Sequence, residues 1–285
     1  AQCFDHLRGL IDMLPQHNQD RTPIVMTPGV NKDLRDMDHV LPLFNNRPYD
    51  VRKIITRVFD DHSFIEVQES FAANLVVGFA RLSNGLVGIV ANQPDCLSGA
   101  IECNASDKAA RFIRFCDAFN IPLITFTDTP GFMPGMDEER KGIIRHGAKL
   151  VYAYSEATVP KINIILRKAF GGAYIAMSSK HVGADFVFAW PSAEIAVVGA
   201  SGAVEVLFHK QIESLRGGEL TEFRQKKIDE YHYNFSNPKF AAEAGYVDEI
   251  ISPAQTRSTI IKAMKILQNK YESPVVIKKH NCMPM

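Results

Sequence analysis

From residue 50 onward, short and nearly unbroken apolar runs alternate with amphipathic stretches. Asp50–Phe59 carries apolar residues at 51, 54, 55, 58 and 59, the spacing of one helix face. Phe64-Ile65-Glu66-Val67 reads as a short strand. Leu75–Leu82 and Leu86–Ala91 are apolar runs separated by Ser83-Asn84-Gly85, and Asn-Gly between two such runs predicts a β-hairpin. Ser106 is expected to cap a helix whose apolar side holds Ala109, Phe112, Ile113 and Phe115–Phe119. The pattern then repeats: a strand at Ile121–Phe126, a helix over Glu138–Ala157, a strand at Lys161–Leu166 and a helix from Ala173. Strands at Phe186–Trp190 and Glu194–Val198 follow, then helices from Ser201 and over Thr221–Tyr231, Lys239–Glu243 and Ala254–Lys270.

Strands that are apolar throughout are covered on both faces, so the alternation predicts an α/β fold with parallel strands. Strand pairs punctuated by helices fit stacked β-β-α units, although no sequence repeat of fixed period accompanies them. Residues 1–49 differ. One amphipathic turn or two (Phe4, Leu7, Leu10, Ile11, Leu14) ends at Pro15, and a polar, proline-punctuated stretch with Pro28, Pro42 and Pro48 follows. This part reads as a connector or arm, and residues 50–285 as the folded unit.

Composition narrows the functions. The 285 residues hold 32 Lys+Arg against 32 Asp+Glu, a formal net charge of zero, which leaves no electrostatic footprint for nucleic acid or an anionic membrane. No apolar run approaches the roughly 18 residues of a membrane helix. The start carries an acid and no apolar segment of signal-peptide type; a processed or partial chain is compatible with the missing Met. Five cysteines at 3, 96, 103, 116 and 282 form no Cys-x-x-Cys pair and read as reduced thiols of a cytosol-like compartment, with no metal site among them.

Chemistry has three glycine-rich candidates at strand ends: Pro130–Gly135, Phe170–Tyr174 and Gly199–Ala203. At Gly171-Gly172 a strand turns straight into a helix, whose first amides have no internal partner. Two such N–H groups facing a cleft would hold an oxyanion or enolate; tight strand-to-helix packing explains the same glycines equally well. Asp128 either caps the segment after its strand or floors a ligand site. Ser178, Ser179, Lys180 and His181 invite a hydrolase reading, but no Gly-x-Ser-x-Gly elbow is present. Arg145, His146 and His280 read as surface or helix-packing groups, and Glu194 as an edge carboxylate. Neither a Gly-x-Gly-x-x-Gly signature nor a phosphate loop occurs. Few acid–base groups beside amide-lined turns imply chemistry brought in by a cofactor.

Five motifs stand in order: Phe126-x-Asp-Thr-Pro-Gly-Phe-x-Pro-Gly135, Gly142-x-x-Arg-His-Gly-Ala-Lys149, Arg167-Lys-Ala-Phe-Gly-Gly-Ala-Tyr174, Ala189-Trp-Pro-Ser-Ala-Glu-Ile-Ala-Val197 and Gly199-Ala-x-Gly-Ala203. With the ending Lys279-His280-x-x-Met-Pro284, they resemble the biotin-dependent acyl-CoA carboxyltransferases, in particular the propionyl-CoA carboxylase β subunit group with its decarboxylase and transcarboxylase relatives. The resemblance implies a crotonase-like superhelix, of which this chain looks like the second, C-terminal domain. It implies that Gly172 and Ala173 offer their amides to the biotin ureido oxygen, in a pocket completed by Gly131, Phe132, Gly171, Tyr174, Ile175, Gly199 and Gly202. It further implies carboxybiotin on a carrier protein and a short acyl-CoA as reactants, no metal in this domain, and inactivity without the N-terminal domain. The implied partners are biotin carboxylase and biotin carrier subunits and further copies of the chain, in a hexamer built as a trimer of dimers. A cytoplasmic or, in a eukaryote, mitochondrial-matrix location follows. Ile175 stands where many propionyl-CoA carboxylase β chains have Asp, which looks more like the decarboxylase, transcarboxylase or acetyl-CoA-accepting members. Ala200–Val206 looks more like the propionyl group, so the two clues oppose each other. A non-catalytic assembly module and a stand-alone crotonase-type hydratase or isomerase are the competing readings.

Overall fold

The computed structural model describes residues 2–18, 20, 22–26, 32–42 and 47–272. Among these, eight strands form one sheet: β1 (Ile65–Val67), β2 (Leu75–Leu82), β3 (Gly85–Asn92), β4 (Leu123–Thr129), β5 (Lys161–Phe170), β6 (Phe186–Ala189), β7 (Glu194–Ala196) and β8 (Glu249–Ile250). The order is β1-β2-β3-β4-β5-β6-β8, with β7 pairing the far end of β5. The pairs β1–β2 and β2–β3 are antiparallel and all the others parallel. The helices are α1 (Gln2–Met13), α2 (Arg52–Val58), α3 (Cys103–Ala118), α4 (Met136–Lys141), α5 (Ile143–Glu156), α6 (Gly171–Ala176), α7 (Ala200–Leu207), α8 (His209–Ser214), α9 (Gly217–Tyr231), α10 (Pro238–Glu243) and α11 (Thr256–Ile266). The mixed α/β architecture with its parallel centre is the crotonase-like fold expected from the sequence.

Both faces of the sheet are buried, which is why its strands read as unbroken apolar runs. Leu75, Val77 and Phe79 face a core built with α3, α5 and α6, while Val76, Ala80 and Leu82 face a second core built with α2 and α11. The hairpin turn is Ser83-Asn84, both with positive φ (52° and 71°), the twist a two-residue turn needs. Asp60 holds that turn: its carboxylate accepts from the Ser83 and Asn84 amides at 3.1 and 2.9 Å. Arg257 on α11 pairs with the same buried carboxylate and donates to Val58 O at 2.6 Å.

Four expectations change. The helix at 103 is capped by Glu102, which accepts from the Asn104 and Ala105 amides at 2.9 Å each; Ser106 lies inside it, buried, bonding back to Glu102 O. The single helix over Glu138–Ala157 is two helices broken at Gly142, whose φ of 86° no continuous right-handed helix contains. The strand begun at Lys161 runs on to Phe170, and the next helix starts at Gly171, two residues earlier than expected. The connector is not a free arm: Met13 packs into the first core, and Leu34 and Met37 into the second. Pro28, Cys282, His280 and the Lys279–Pro284 ending lie outside the described residues.

Candidate active site

Strand β5 is the longest strand, and its final residue, Phe170, is the extended N-cap of α6 (φ −111°, ψ 138°). Gly171 follows with φ of 57°, and a Cβ there would stand 3.0 Å from the Val197 carbonyl oxygen, so both conformation and space demand glycine. No side chain caps α6. The first N–H groups of such a helix have no partner within it, as at the likewise uncapped α5, α7 and α9. Ala173 is fully buried in the first core, whereas Gly172 is exposed.

Two apolar clefts meet at this turn. One, of about 750 Å³, lies between α5 and the 131–135 loop and is lined by Phe132, Met133, Pro134, Ile143, Ile144, Val151 and others. The second, of about 650 Å³, lies on the side of β7, α9 and α10 and is lined by Tyr174, His181, Ile195, Val197, Phe235, Phe240 and Tyr246 among others. Gly172 and Ile175 line both, so α6 is the wall between them. Among the described lining residues the one carboxylate is Glu139, on α4. A hydratase or isomerase needs carboxylates facing the glycine turn, and this lining offers little for it.

The 131–135 loop is tied down from beneath. Ile101 N donates to Gly131 O at 3.1 Å and Met133 N to Ile101 O at 2.8 Å. The Phe132 ring is thereby wedged between two glycines: a Cβ on Gly147 would lie 3.0 Å from it, and one on Gly172 3.7 Å. So Phe132, Gly171, Gly172, Tyr174 and Ile175 line the clefts, whereas Gly131 and Ala173 line neither, Ala173 being buried in the first core. Gly199 and Gly202 line neither cleft; Gly199 packs under the Phe170 ring, with 3.0 Å available for a Cβ, and Gly202 sits in the first turn of α7 against Val198. The third turn reaches the second cleft instead through Ile195, Ala196 and Val197.

Asp128 caps nothing. It is fully buried in β4, accepts from the Tyr49 hydroxyl at 2.8 Å and the Lys168 amide at 3.1 Å, and lies 3.0 Å from Arg167 Nε. That nitrogen is within ion-pair distance but off hydrogen-bond alignment. The guanidinium also donates to Arg47 O at 2.8 Å and stacks over the Tyr49 ring at 4.9 Å. Burial raises the Asp128 carboxyl above its ordinary value against the pull of Arg167, and raises the Tyr49 phenol well above its own. The cluster ties residues 47–49 to the ends of β4 and β5, beneath the site.

The other candidates are structural. Ser178 is fully buried with φ of 54°, and its hydroxyl has no partner. His181 Nδ1 lies 3.3 Å from Ser179 Oγ, not from Ser178, and its ring stacks on Tyr246 at 4.7 Å. Ser179 is fully buried and its hydroxyl donates to Ile175 O at 2.9 Å, so this contact does not present a nucleophile to either cleft. His146 Nδ1 and Lys149 Nζ both lie 2.9 Å from Asp107 Oδ1, joining α5 to α3, and Glu194 is half-buried with His232 Nδ1 at 3.8 Å. Cys3, Cys96, Cys103 and Cys116 are free thiols, and burial first, then Glu138, pushes Cys103 up to about 11. Among the described residues no cluster of three or more His, Cys, Asp or Glu is placed for a metal, and no helix is long and apolar enough to cross a membrane.

Sequence reasoning missed the Thr127–Asn163 pair. Both are fully buried, and the Thr127 hydroxyl donates to Asn163 Oδ1 at 2.8 Å. For Asn163 the available signal was one polar residue between Ile162 and Ile164-Ile165-Leu166.

Comparison with known proteins follows the same geometry. A profile described as "Carboxyl transferase domain" matches residues 1–283. The propionyl-CoA carboxylase carboxyltransferase subunit of Haloferax mediterranei is 47% identical over 285 residues, covering 100% of this chain and 55% of the relative. The methylmalonyl-CoA decarboxylase subunit alpha of Propionigenium modestum is 45% identical over 284 residues, covering 99% and 54%. A transcarboxylase 12S crystal structure, described as a hexamer assembly with methylmalonyl-coenzyme A and methylmalonic acid bound, superposes with a TM-score of 0.91 at 46% identity, covering 98% of this chain and 53% of that one. The chain thus spans about half the length of the relatives it matches. From the end-to-end profile match and these identities, the chain belongs to the carboxyl transferase domain family.

Proposed function

We propose that residues 50–285 form one half of a carboxyltransferase site, in which the amides of Gly172 and Ala173 hold the ureido oxygen of biotin. The carboxyl group passes between biotin on a carrier protein and the α-carbon of a short acyl-CoA, propionyl- or acetyl-CoA. Carboxybiotin, a substrate delivered from outside, supplies the activated carboxyl group. The observation that carries this reading is the uncapped first turn of α6, which stands at the meeting line of two clefts and can therefore face two reactants at once.

This chain's own contribution is fixed dipoles. Two preorganised N–H groups stabilise negative charge as it develops on an oxygen, and the apolar clefts keep water away from it. Gly131, Phe132, Gly171, Tyr174 and Ile175 shape the space around that turn; Gly199 packs against its N-cap Phe170, and Gly202 against Val198. Because the lining carries so little acid–base equipment, proton removal from the acyl-CoA falls to the reactants and not to a side chain. Activity then requires the other half of the relatives' length, and the exposed apolar residues Val197, Val206, Leu207 and Phe235 fit association with that half and with further copies. Biotin carboxylase and carrier subunits are the partners that such a reaction demands, in the cytoplasm or a mitochondrial matrix. Ile175 is 37% exposed and shared by both clefts, and an aliphatic residue there resembles the decarboxylase, transcarboxylase or acetyl-CoA-accepting members, which gives the second reading of a decarboxylase- or transcarboxylase-type subunit.

The test uses the longer protein carrying this chain. Gly172→Pro removes one N–H in the first turn of a helix, where proline is tolerated. The expected result is a loss of carboxyl transfer on the order of 100- to 1000-fold, with acyl-CoA affinity largely kept and the melting temperature near that of the parent. Ser178→Ala is expected to keep activity. A folded Gly172→Pro that transfers at the parent's rate would remove the oxyanion role.

A further inference from the structure

Helix α6 has six residues, too short to hold its own direction in water. Something else must aim it, and its side-chain polar contacts lie at its C-terminal end. Met177 N donates to Ala173 O at 3.1 Å, and Ser179 Oγ donates to Ile175 O at 2.9 Å. The Met177 carbonyl, which would otherwise be left unsatisfied in the core, is turned toward the sheet. It accepts from Asn163 Nδ2 at 2.9 Å. Asn163 is held in turn by the Thr127 hydroxyl at 2.8 Å, which also lies 3.4 Å from Met177 O. The chain then leaves through Ser178 in a left-handed conformation.

Asn163 and Thr127 are fully buried on β5 and β4, next to Ile162, Ile164 and Phe126, where an aliphatic residue would pack without a desolvation cost. We propose that Asn163 and Thr127 are positioning residues that fix α6 through the Met177 carbonyl, and so aim the Gly172 and Ala173 amides at the reacting oxygen. This rests on the oxyanion role given to those amides above. Donors of this kind act at 2.7–3.1 Å, and a displacement of about 1 Å costs on the order of 100-fold in rate. The pair touches no reactant itself.

The experiment compares Asn163→Leu with Thr125→Val. Thr125 is an equally buried hydroxyl two residues from Thr127 on the same strand, but it bonds the Tyr154 hydroxyl of α5 at 2.8 Å and not α6. In the chain labelled with ¹⁵N-glycine and ¹⁵N-alanine, Asn163→Leu is expected to shift the Gly172 and Ala173 amide resonances and Thr125→Val to leave them in place. In the longer protein, Asn163→Leu is expected to lower kcat about 10- to 100-fold with KM for acyl-CoA within twofold, and Thr125→Val to leave kcat unchanged at a lowered melting temperature. Unmoved Gly172 and Ala173 resonances in Asn163→Leu overturn the positioning role, whatever the rate does. Shifted resonances with an unchanged kcat leave the positioning role standing and overturn the oxyanion role of the amides instead.

Discussion

Gly147 gives the sharpest test of how the first cleft is built. A glycine in the interior of α5 costs roughly 1 kcal/mol of helix stability relative to alanine. On propensity alone, Gly147→Ala stabilises the protein by that amount. The structure opposes it: the new Cβ would lie 3.0 Å from two atoms of the Phe132 ring, against an ordinary carbon–carbon contact of about 3.5–4.0 Å. The ring cannot retreat freely, because Gly172 lies on it and the Ile101–Gly131 and Ile101–Met133 bonds pin the loop that carries it. Overpacking of this size costs about 1–3 kcal/mol, so the net effect is a destabilisation of about 0–2 kcal/mol. Replacing Phe132 with Leu removes the obstacle, and in that background Gly147→Ala becomes stabilising by up to about 1 kcal/mol. The assay is thermal unfolding of the two single variants and the double variant, read as a double-mutant cycle. The reasoning predicts a change of sign between backgrounds, worth several degrees in melting temperature. If Gly147→Ala stabilises equally in both, the glycine is a tolerated helix defect and Phe132 is not wedged by it.

The buried pair between Asp60 and Arg257 predicts that Arg257→Met strands a carboxylate in the core beside the β2–β3 turn; a loss of about 3–5 kcal/mol in urea unfolding is expected, and a loss below 1 kcal/mol would show that Asp60 takes its compensation elsewhere. Burial works to raise the Asp107 carboxyl, but bonds from His146 and Lys149 outweigh it and hold it below its ordinary 3.8. A depressed carboxyl contributes stability above its unfolded value and loses it as pH falls through the folded one. The melting-temperature gap between the parent and Asp107→Asn should therefore be widest above about pH 5 and shrink below about pH 4; a gap independent of pH would refute it.

Features that depend on local chemistry could be read directly in the chain. The hairpin was legible from Asn84-Gly85 between two apolar runs, although the turn itself is Ser83-Asn84, one residue earlier, and the β3–β6 region was legible because strands buried on both faces carry long apolar stretches. Gly171-Gly172 was legible as an abrupt strand-to-helix turn, although packing and chemistry predict the same glycines there. What escaped was set by partners distant in sequence. The break at Gly142 lies inside a stretch that is amphipathic throughout, and a single interior glycine does not separate one helix from two. Sequence left Asp128 as either a cap or the floor of a ligand site, because its partners, Tyr49 and Arg167, are 79 and 39 residues away.

The same logic explains why the amides could be proposed from sequence while their support could not. A glycine turn advertises itself, because glycine alone fits the Gly171 backbone. The residues that aim such a turn carry no distinct signature. Asn163 interrupts an apolar stretch of β5 by one position and Thr127 is one of three threonines on β4, and only folding puts the two 2.8 Å apart beneath the same carbonyl. The six-residue helix has no N-terminal side-chain cap, while at its other end the Ile175 and Met177 carbonyls each accept from a side chain. Stability alone would favour satisfying both ends. Under the oxyanion role proposed above, the open first turn awaits an acceptor from outside, and the bonds at the other end set the direction of its amides.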